Sequence, residues 1–259
     1  MSSIDHYENF PVASWLCPKH LRPAVAALYH FARTADDLAD EGHDPAHHRL
    51  DALGEYRADL QNCLGNAKAT SVRWPKVFGA LRSAIEQHQL PAQPLFDLLD
   101  AFEQDVVYTS VGQGYRNHAE LLDYCRRSAN PVGRLMLHLY GVDDAPSLAQ
   151  SDAICTALQL INFWQDRAED LWRGRDYLPQ GHTLDQELRF ARELMVQGAP
   201  LVHRVKGRAG WELRAVVQGG LHILDKLDAR DETIDHKHLD RPILKKPDFI
   251  RIAWRCIRM

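Results

Sequence analysis

The chain has 259 residues, of which 45% are hydrophobic and 25% charged, with a net charge of −4 at neutral pH. These are the values of an ordinary globular protein with enough length for a sizeable core. The acidic balance, with no strongly basic block, excludes nucleic acid as an expected partner. Five cysteines with no CxxC pair argue against a disulfide framework or zinc knuckle and fit a reducing, cytoplasmic setting. MSSIDHYENF lacks the basic-then-apolar pattern of a secretory leader, and no apolar run is long enough to span a bilayer.

Helical periodicity runs through nearly the whole chain. RPAVAALYHFARTADDLAD opens on Pro23 in a first turn, with Gly42 as its expected stop, and spaces Val25, Leu28, Tyr29 and Ala32 along one face. Further helices are expected in HRLDALGEYRADLQNCL, VFGALRSAIEQH and PLFDLLDAFEQDV. HAELLDYCRRSANPVGRLMLHLYG should be broken at Pro131, which removes a backbone hydrogen bond and clashes with the preceding turn. SLAQSDAICTALQLINFWQDRAEDLWRG, LDQELRFARELMVQGA and WELRAVVQGGLHILDKLD follow, and PDFIRIAWRCIRM closes the series. With no alternating run, no repeat and no Pro/Ser-rich linker, the expectation is an all-α single domain over residues 1–259.

Two acidic columns stand out. Asp36 and Asp40 lie one helical turn apart in FARTADDLADEG, where like charges repel by a few tenths of a kcal/mol. Gln159, Asn162, Asp166 and Asp170 share one face of the long helix through LQLINFWQDRAED. The plain reading is a pair of solvated, salt-bridged faces. The functional reading is two strips of oxygen ligands for Mg2+, which takes carboxylates together with substrate phosphates. Several such ions could hold one diphosphate, with Arg33 adding fixed positive charge for phosphate oxygens. Asn162 within the apolar ALQLINFW favours the second reading, because an idle buried amide is costly.

DDLAD at 36–40 and NFWQDRAED at 162–170 resemble the two aspartate-rich motifs of the squalene/phytoene synthase family, and the resemblance covers nearly the whole chain. YHFARTADD places Tyr29, Arg33, Asp36 and Asp40 at the family's offsets. Tyr124 in LLDYCRRSANPVGRL stands where the family has an active-site tyrosine, and GRDYLP supplies Arg175 and Tyr177. ENFPVAS at 8–14, SANPVGR at 128–134 and NFWQD at 162–166 resemble one bacterial branch, in which presqualene diphosphate becomes hydroxysqualene. Phytoene-type members typically carry arginine at the position of Gln165.

The resemblance implies an isoprenoid-synthase helical bundle around a central apolar cavity. Asp36, Asp40, Asn162, Asp166 and Asp170 would ligate Mg2+. Arg33, Tyr29, Phe10, Gln159, Asn162, Phe163 and Arg175 would contact a prenyl diphosphate substrate. Tyr124 would act at the departing diphosphate or on the captured water. Phe10, Tyr29, Tyr124 and Phe163 are candidate cation-stabilising walls, with ordinary core packing as the alternative. Water quenching requires no nicotinamide, and VGQGYRN is not a dinucleotide fingerprint. The alternatives are head-to-head condensation of two prenyl diphosphates and a non-catalytic helical subunit. One departure is plain: after Gln180 the chain lacks most of the long loop that the family carries there.

Other features carry the bland expectation. His43, His47 and His48, and His236 and His238, are read as loop histidines; Asp143 and Asp144 as turn residues; Cys125 as a small core hydrophobe. Arg175 is divided between the diphosphate and a salt bridge to Asp170 or Asp176. KKPDFIRIAWRCIRM is read as a cap on the bundle, with a peripheral membrane-surface helix as the alternative.

Overall fold

Ten α-helices and one short 3-10 helix make up the described residues of the computed structural model, 17–40, 44–65, 71–229 and 241–259, with no strand among them. The helices are α1 (Arg22–Asp40), α2 (Ala46–Leu64), α3 (Pro75–His88), α4 (Gln93–Val111), α5 (His118–Ser128), α6 (Asn130–Leu139), α7 (Ala145–Trp172), α8 (Leu184–Gly198), α9 (Gly207–Asp228) and α10 (Lys246–Arg258). The all-α expectation holds. The 3-10 helix at Ala199–His203 was not anticipated; Pro200 in its first turn follows α8 directly. Phe10, the ENFPVAS segment, Gly42, His43, His236 and His238 lie outside the described residues.

Local chemistry sets the boundaries that matter for the site. Pro131 separates α5 from α6 as expected and occupies the first turn of α6, where its missing N–H costs nothing. Asp144 is the N-cap of α7, accepting from the Ser147 backbone N–H at 3.1 Å. Thr183 and Gln186 form a reciprocal capping box that starts α8.

The buried side chains form two clusters. One gathers α1 to α4 around Phe31, Tyr56, Leu60 and Leu99; the other gathers α5, α7, α8 and α9 around Leu121, Leu160, Met195 and Leu224. Helix α6 bridges them: Leu135 and Leu139 enter the first, Leu137 enters the second, and Tyr140 packs on both. In the first cluster Phe31 stacks on Tyr56 at 5.3 Å and meets Phe78 edge-on at 6.2 Å. Such pairs add about 0.5–1.5 kcal/mol each beyond area burial. The Tyr56 hydroxyl donates to the Phe31 carbonyl at 3.0 Å. These contacts fix the middle of α1, and so the direction in which Asp36 and Asp40 emerge one and two turns later.

Helix α10 does cap the bundle. Ile252 and Cys256 bury against it, and Asp248 receives Lys226 of α9 and faces His222, with its carboxyl held well below the usual range by the Lys226 contact. Its opposite face leaves Phe249, Ile250, Trp254 and Ile257 exposed. All five cysteines are free, and burial pushes the Cys125 thiol up, as expected of a core thiol.

Candidate active site

The acid at the end of α1 is less unbalanced than its sequence suggests. Arg33 reaches Asp36 at 3.0 Å and Asp37 at 2.7 Å. Asp40 is held from across the molecule: Arg175, just beyond α7, makes a two-pronged pair with it at 2.7 and 3.0 Å. The guanidinium therefore pairs with neither Asp170 nor Asp176, the salt-bridge partners read as one alternative from sequence, although the Arg175 backbone N–H donates to the Asp170 carbonyl at 2.8 Å. Its Nε donates to Thr109 of α4 at 3.1 Å. Burial opposes its charge, but the Asp40 pair outweighs this and raises its pKa.

Repulsion persists despite these pairs. Burial, then Asp40, pushes the Asp36 carboxyl up to about 6 against the pull of Arg33. Burial, then Asp166, pushes Asp170 up to about 7, and Asp40 adds to the rise. The two columns, distant in sequence, thus share one electrostatic field, with Arg175 acting on Asp36 and Asp170 alike. Asp166 is raised by burial, opposed by Arg241, whose Nε lies 2.6 Å away. Asn162 is exposed and Gln159 half-buried. The burial argument for Asn162 therefore fails: the apolar stretch turns that side chain outward, where an amide carries no desolvation cost.

Two participants went unnoticed in the sequence. The first is Asp105 of α4, which accepts the Tyr124 hydroxyl proton; burial pushes its carboxyl up to about 7, and Asp40 and Asp36 add repulsion. A signal for it existed: Asp105 falls one turn beyond Ala101 and Phe102, and two beyond Leu98, on the core-facing stripe, where an acid is out of place. The second is Arg241. Gln165, buried beside the second column, donates its amide to the Pro242 carbonyl at 2.6 Å and so anchors the segment that brings Arg241 to Asp166.

Tyr124 and Phe163 occupy a buried aromatic cluster. Phe163 stacks face to face on Tyr177 at 3.8 Å, and Tyr124 lies 6.0 Å from Phe163 and 5.8 Å from Tyr115. Neither Tyr124 nor Phe163 is among the residues lining the large cavity described below. The Tyr124 hydroxyl donates to Asp105. Despite its shortness, the connection between α7 and α8 still delivers Arg175 to Asp40 and Tyr177 to Phe163. Its turns at Gly174 and Gly181 adopt φ of 79° and 80°, which glycine reaches without strain.

Beside these acids opens an apolar cavity of about 550 Å3, between the two core clusters. It follows α1 from Val25 to Asp36, about 16 Å at 1.5 Å per residue. Tyr29, Arg33 and Asp36 line it, as do Gly133 of α6 and Cys155 of α7. A Cβ on Gly133 would come within 2.4 Å of Ser151 Oγ and 2.5 Å of Cys155 Sγ. Gly133 thus lines the cavity and lets α6 pack closely on α7.

The donor set around Asp36, Asp40, Asp105, Asp166 and Asp170 is carboxylate oxygen, and burial together with mutual repulsion pushes three of these acids to about 6 or 7. Hard divalent cations suit such donors. The arrangement couples a polar, cation-attracting mouth to an apolar channel.

The family model described as squalene/phytoene synthase matches residues 5–187, ending in the first turn of α8. A hydroxysqualene synthase of Sinorhizobium fredii is 32% identical over 90% of this chain and 83% of its own length. One of Rhodopseudomonas palustris is 31% identical over 91% and 84%. The crystal structure of squalene synthase HpnC from Alicyclobacillus acidocaldarius superposes with a TM-score of 0.75 at 35% identity, covering 87% of this chain and 90% of that one. With its helical order, acidic columns and apolar cavity, the chain belongs to the squalene/phytoene synthase family of isoprenoid synthases.

Proposed function

We propose that the chain converts presqualene diphosphate and water to hydroxysqualene and diphosphate. The observation that carries this reading is the apolar channel lined by Arg33 and Asp36, with Asp36 repelling Asp105 of α4 and Asp40 repelling Asp170 of α7. Its volume falls within the usual range of ligand pockets. The similar hydroxysqualene synthases select this branch over the condensing ones.

Asp36, Asp40, Asp166 and Asp170, with Asp105 behind them, are the residues that would hold Mg2+; Asn162, on the same face of α7, is a further oxygen donor. Bound there, Mg2+ supplies charge neutralisation that makes diphosphate a better leaving group. Arg33 and Arg175 restrain the acids before substrate arrives, and release of those pairs frees both guanidinium groups for phosphate oxygens. The carbon–oxygen bond to diphosphate breaks with its electron pair leaving on diphosphate. The apolar walls exclude bulk water while the cation rearranges, and Tyr29 offers an electron-rich ring along the channel. One water then forms the new carbon–oxygen bond and gives up a proton. Tyr124 acts from behind the acids, orienting Asp105.

Product analysis by gas chromatography–mass spectrometry tests this. Hydroxysqualene is expected from presqualene diphosphate with Mg2+ and no nicotinamide. A hydrocarbon from presqualene diphosphate, or presqualene diphosphate made from farnesyl diphosphate, would move the chain to a condensing branch.

The reading extends to organisation and location. Residues 1–259 act as one cytoplasmic domain, supported by α6 packing into both clusters. No described helix is long and apolar enough to cross a membrane. The exposed Phe249, Ile250, Trp254 and Ile257 of α10, with Lys246, Arg251 and Arg258 on the same helix, suit an anionic bilayer surface into which a greasy product could pass. The protein is expected to sediment with anionic liposomes, and Trp254→Glu to abolish this; absence of sedimentation removes the membrane role.

A further inference from the structure

We infer that His118, His182 and Glu187 form a binding site for a divalent transition ion of the zinc class, separate from the aspartate columns. His118 Nδ1 lies 2.9 Å and His182 Nδ1 2.7 Å from the same oxygen, Glu187 Oε1. One ligand atom from each of the three residues falls within 4.8 Å of the others. Two imidazoles and a carboxylate are the donor set of three-ligand zinc sites that keep a fourth position for water, and nitrogen donors disfavour magnesium.

Hydrogen bonding alone leaves this cluster poorly satisfied. With both rings donating to Oε1, Glu187 Oε2 and His118 Nε2 are buried without a partner. Glu187 is fully buried, its side chain 1% exposed. The orphaned carboxylate oxygen, Oε2, calls for an explanation, and an ion bound to the Glu187 carboxylate supplies one. Gathering the three ligand atoms on a cation neutralises the buried carboxylate and spreads them to the spacing of about 3.3 Å that tetrahedral bonds of 2.0–2.1 Å require.

The site is also preorganised. The Asn117 N-cap fixes His118 at the first position of α5. The Thr183–Gln186 capping box fixes Glu187 in the first turns of α8. Phe190 packs edge-on against the His118 ring at 4.4 Å. His182 lies in the short connection after α7, whose Gln180 N–H donates to the Tyr115 carbonyl at 3.1 Å. The ion would therefore tie that connection, with Arg175 and Tyr177 on it, to the start of α5.

The test uses untagged full-length protein. Elemental analysis after dialysis against limiting ZnCl2 is expected to find about one zinc per chain, and none in His182→Ala, a half-exposed loop position chosen because it leaves the core intact. ZnCl2 should raise the melting temperature of the parent protein and not that of His182→Ala, while any rise from MgCl2 should be the same in both. Co2+ substitution should give the visible absorption of a tetrahedral site. Glu187→Gln is the second variant and should also lose zinc. A parent protein without zinc, or His182→Ala retaining one equivalent, overturns the site and leaves a hydrogen-bonded triad.

Discussion

Asp36→Asn is expected to lower turnover on the order of 10²–10³-fold, the scale of losing one preorganised electrostatic contact to a developing charge, while making the metal-free protein more stable. The second half follows from linkage. The folded Asp36 carboxyl sits at about 6, above its ordinary 3.8, because burial and Asp40 disfavour its charge. An acid whose folded pKa is raised costs stability when ionised, so that cost is present above about pH 6 and disappears as pH falls below 3.8. Asparagine keeps the shape and removes the charge. Melting curves in chelator should place the variant above the parent at pH 8, with the two converging at low pH. Lower stability at pH 8, or undiminished turnover, would show that the acids of α1 are a surface feature rather than a strained site kept for function.

Tyr124→Phe is expected to act with the opposite sign on stability and the same sign on activity. It removes the hydroxyl that donates to Asp105. A buried polar partner left unsatisfied costs about 1–3 kcal/mol, and Asp105 is already pushed to about 7 by burial and by Asp40. Turnover should fall about tenfold to a hundredfold as Asp105 loses its orientation, within the range for positioned polar groups. Thermal melting and product analysis on the same preparation check both halves. Asp105→Asn should restore part of the lost stability in the Tyr124→Phe background, because an amide needs no charge stabilisation. Unchanged turnover and product in Tyr124→Phe would remove the tyrosine from the reaction.

The helices were legible because their evidence is local. Pro131 marks the break before α6, and the 3.6-residue spacing of Val25, Leu28, Tyr29 and Ala32 marks the face of α1 that lines the cavity, beside the buried face through Ala24, Phe31 and Ala35. The two acidic columns were legible for the same reason, each being a run of oxygen donors on one helix. What eluded the sequence is every contact between segments. The Arg175 guanidinium pairs with the carboxylate of Asp40, 135 positions away, rather than with that of an acid near it in the chain. Arg241 reaches Asp166 through an anchor that Gln165 provides. Asn162 misled because it was placed by the hydrophobicity of its neighbours, whereas its helical phase turns it outward. Asp105 is the instructive omission: its place on the apolar stripe of α4 was readable, and nothing in that stripe names Tyr124 as its partner. The shared field of the two columns, in which Asp40 acts on Asp170, and the place of Asp36 in the wall of an apolar channel are properties of the tertiary structure.

The central claim is that the two acidic columns act together on a diphosphate through shared cations. Calorimetric titration of a non-ionisable farnesyl thiodiphosphate into the protein, with Mg2+ and with chelator, tests it most directly. Binding that requires Mg2+ and is lost in both Asp36→Asn and Asp170→Asn, one from each column, is the predicted result. Binding that persists in chelator, or that survives either substitution unchanged, would contradict it.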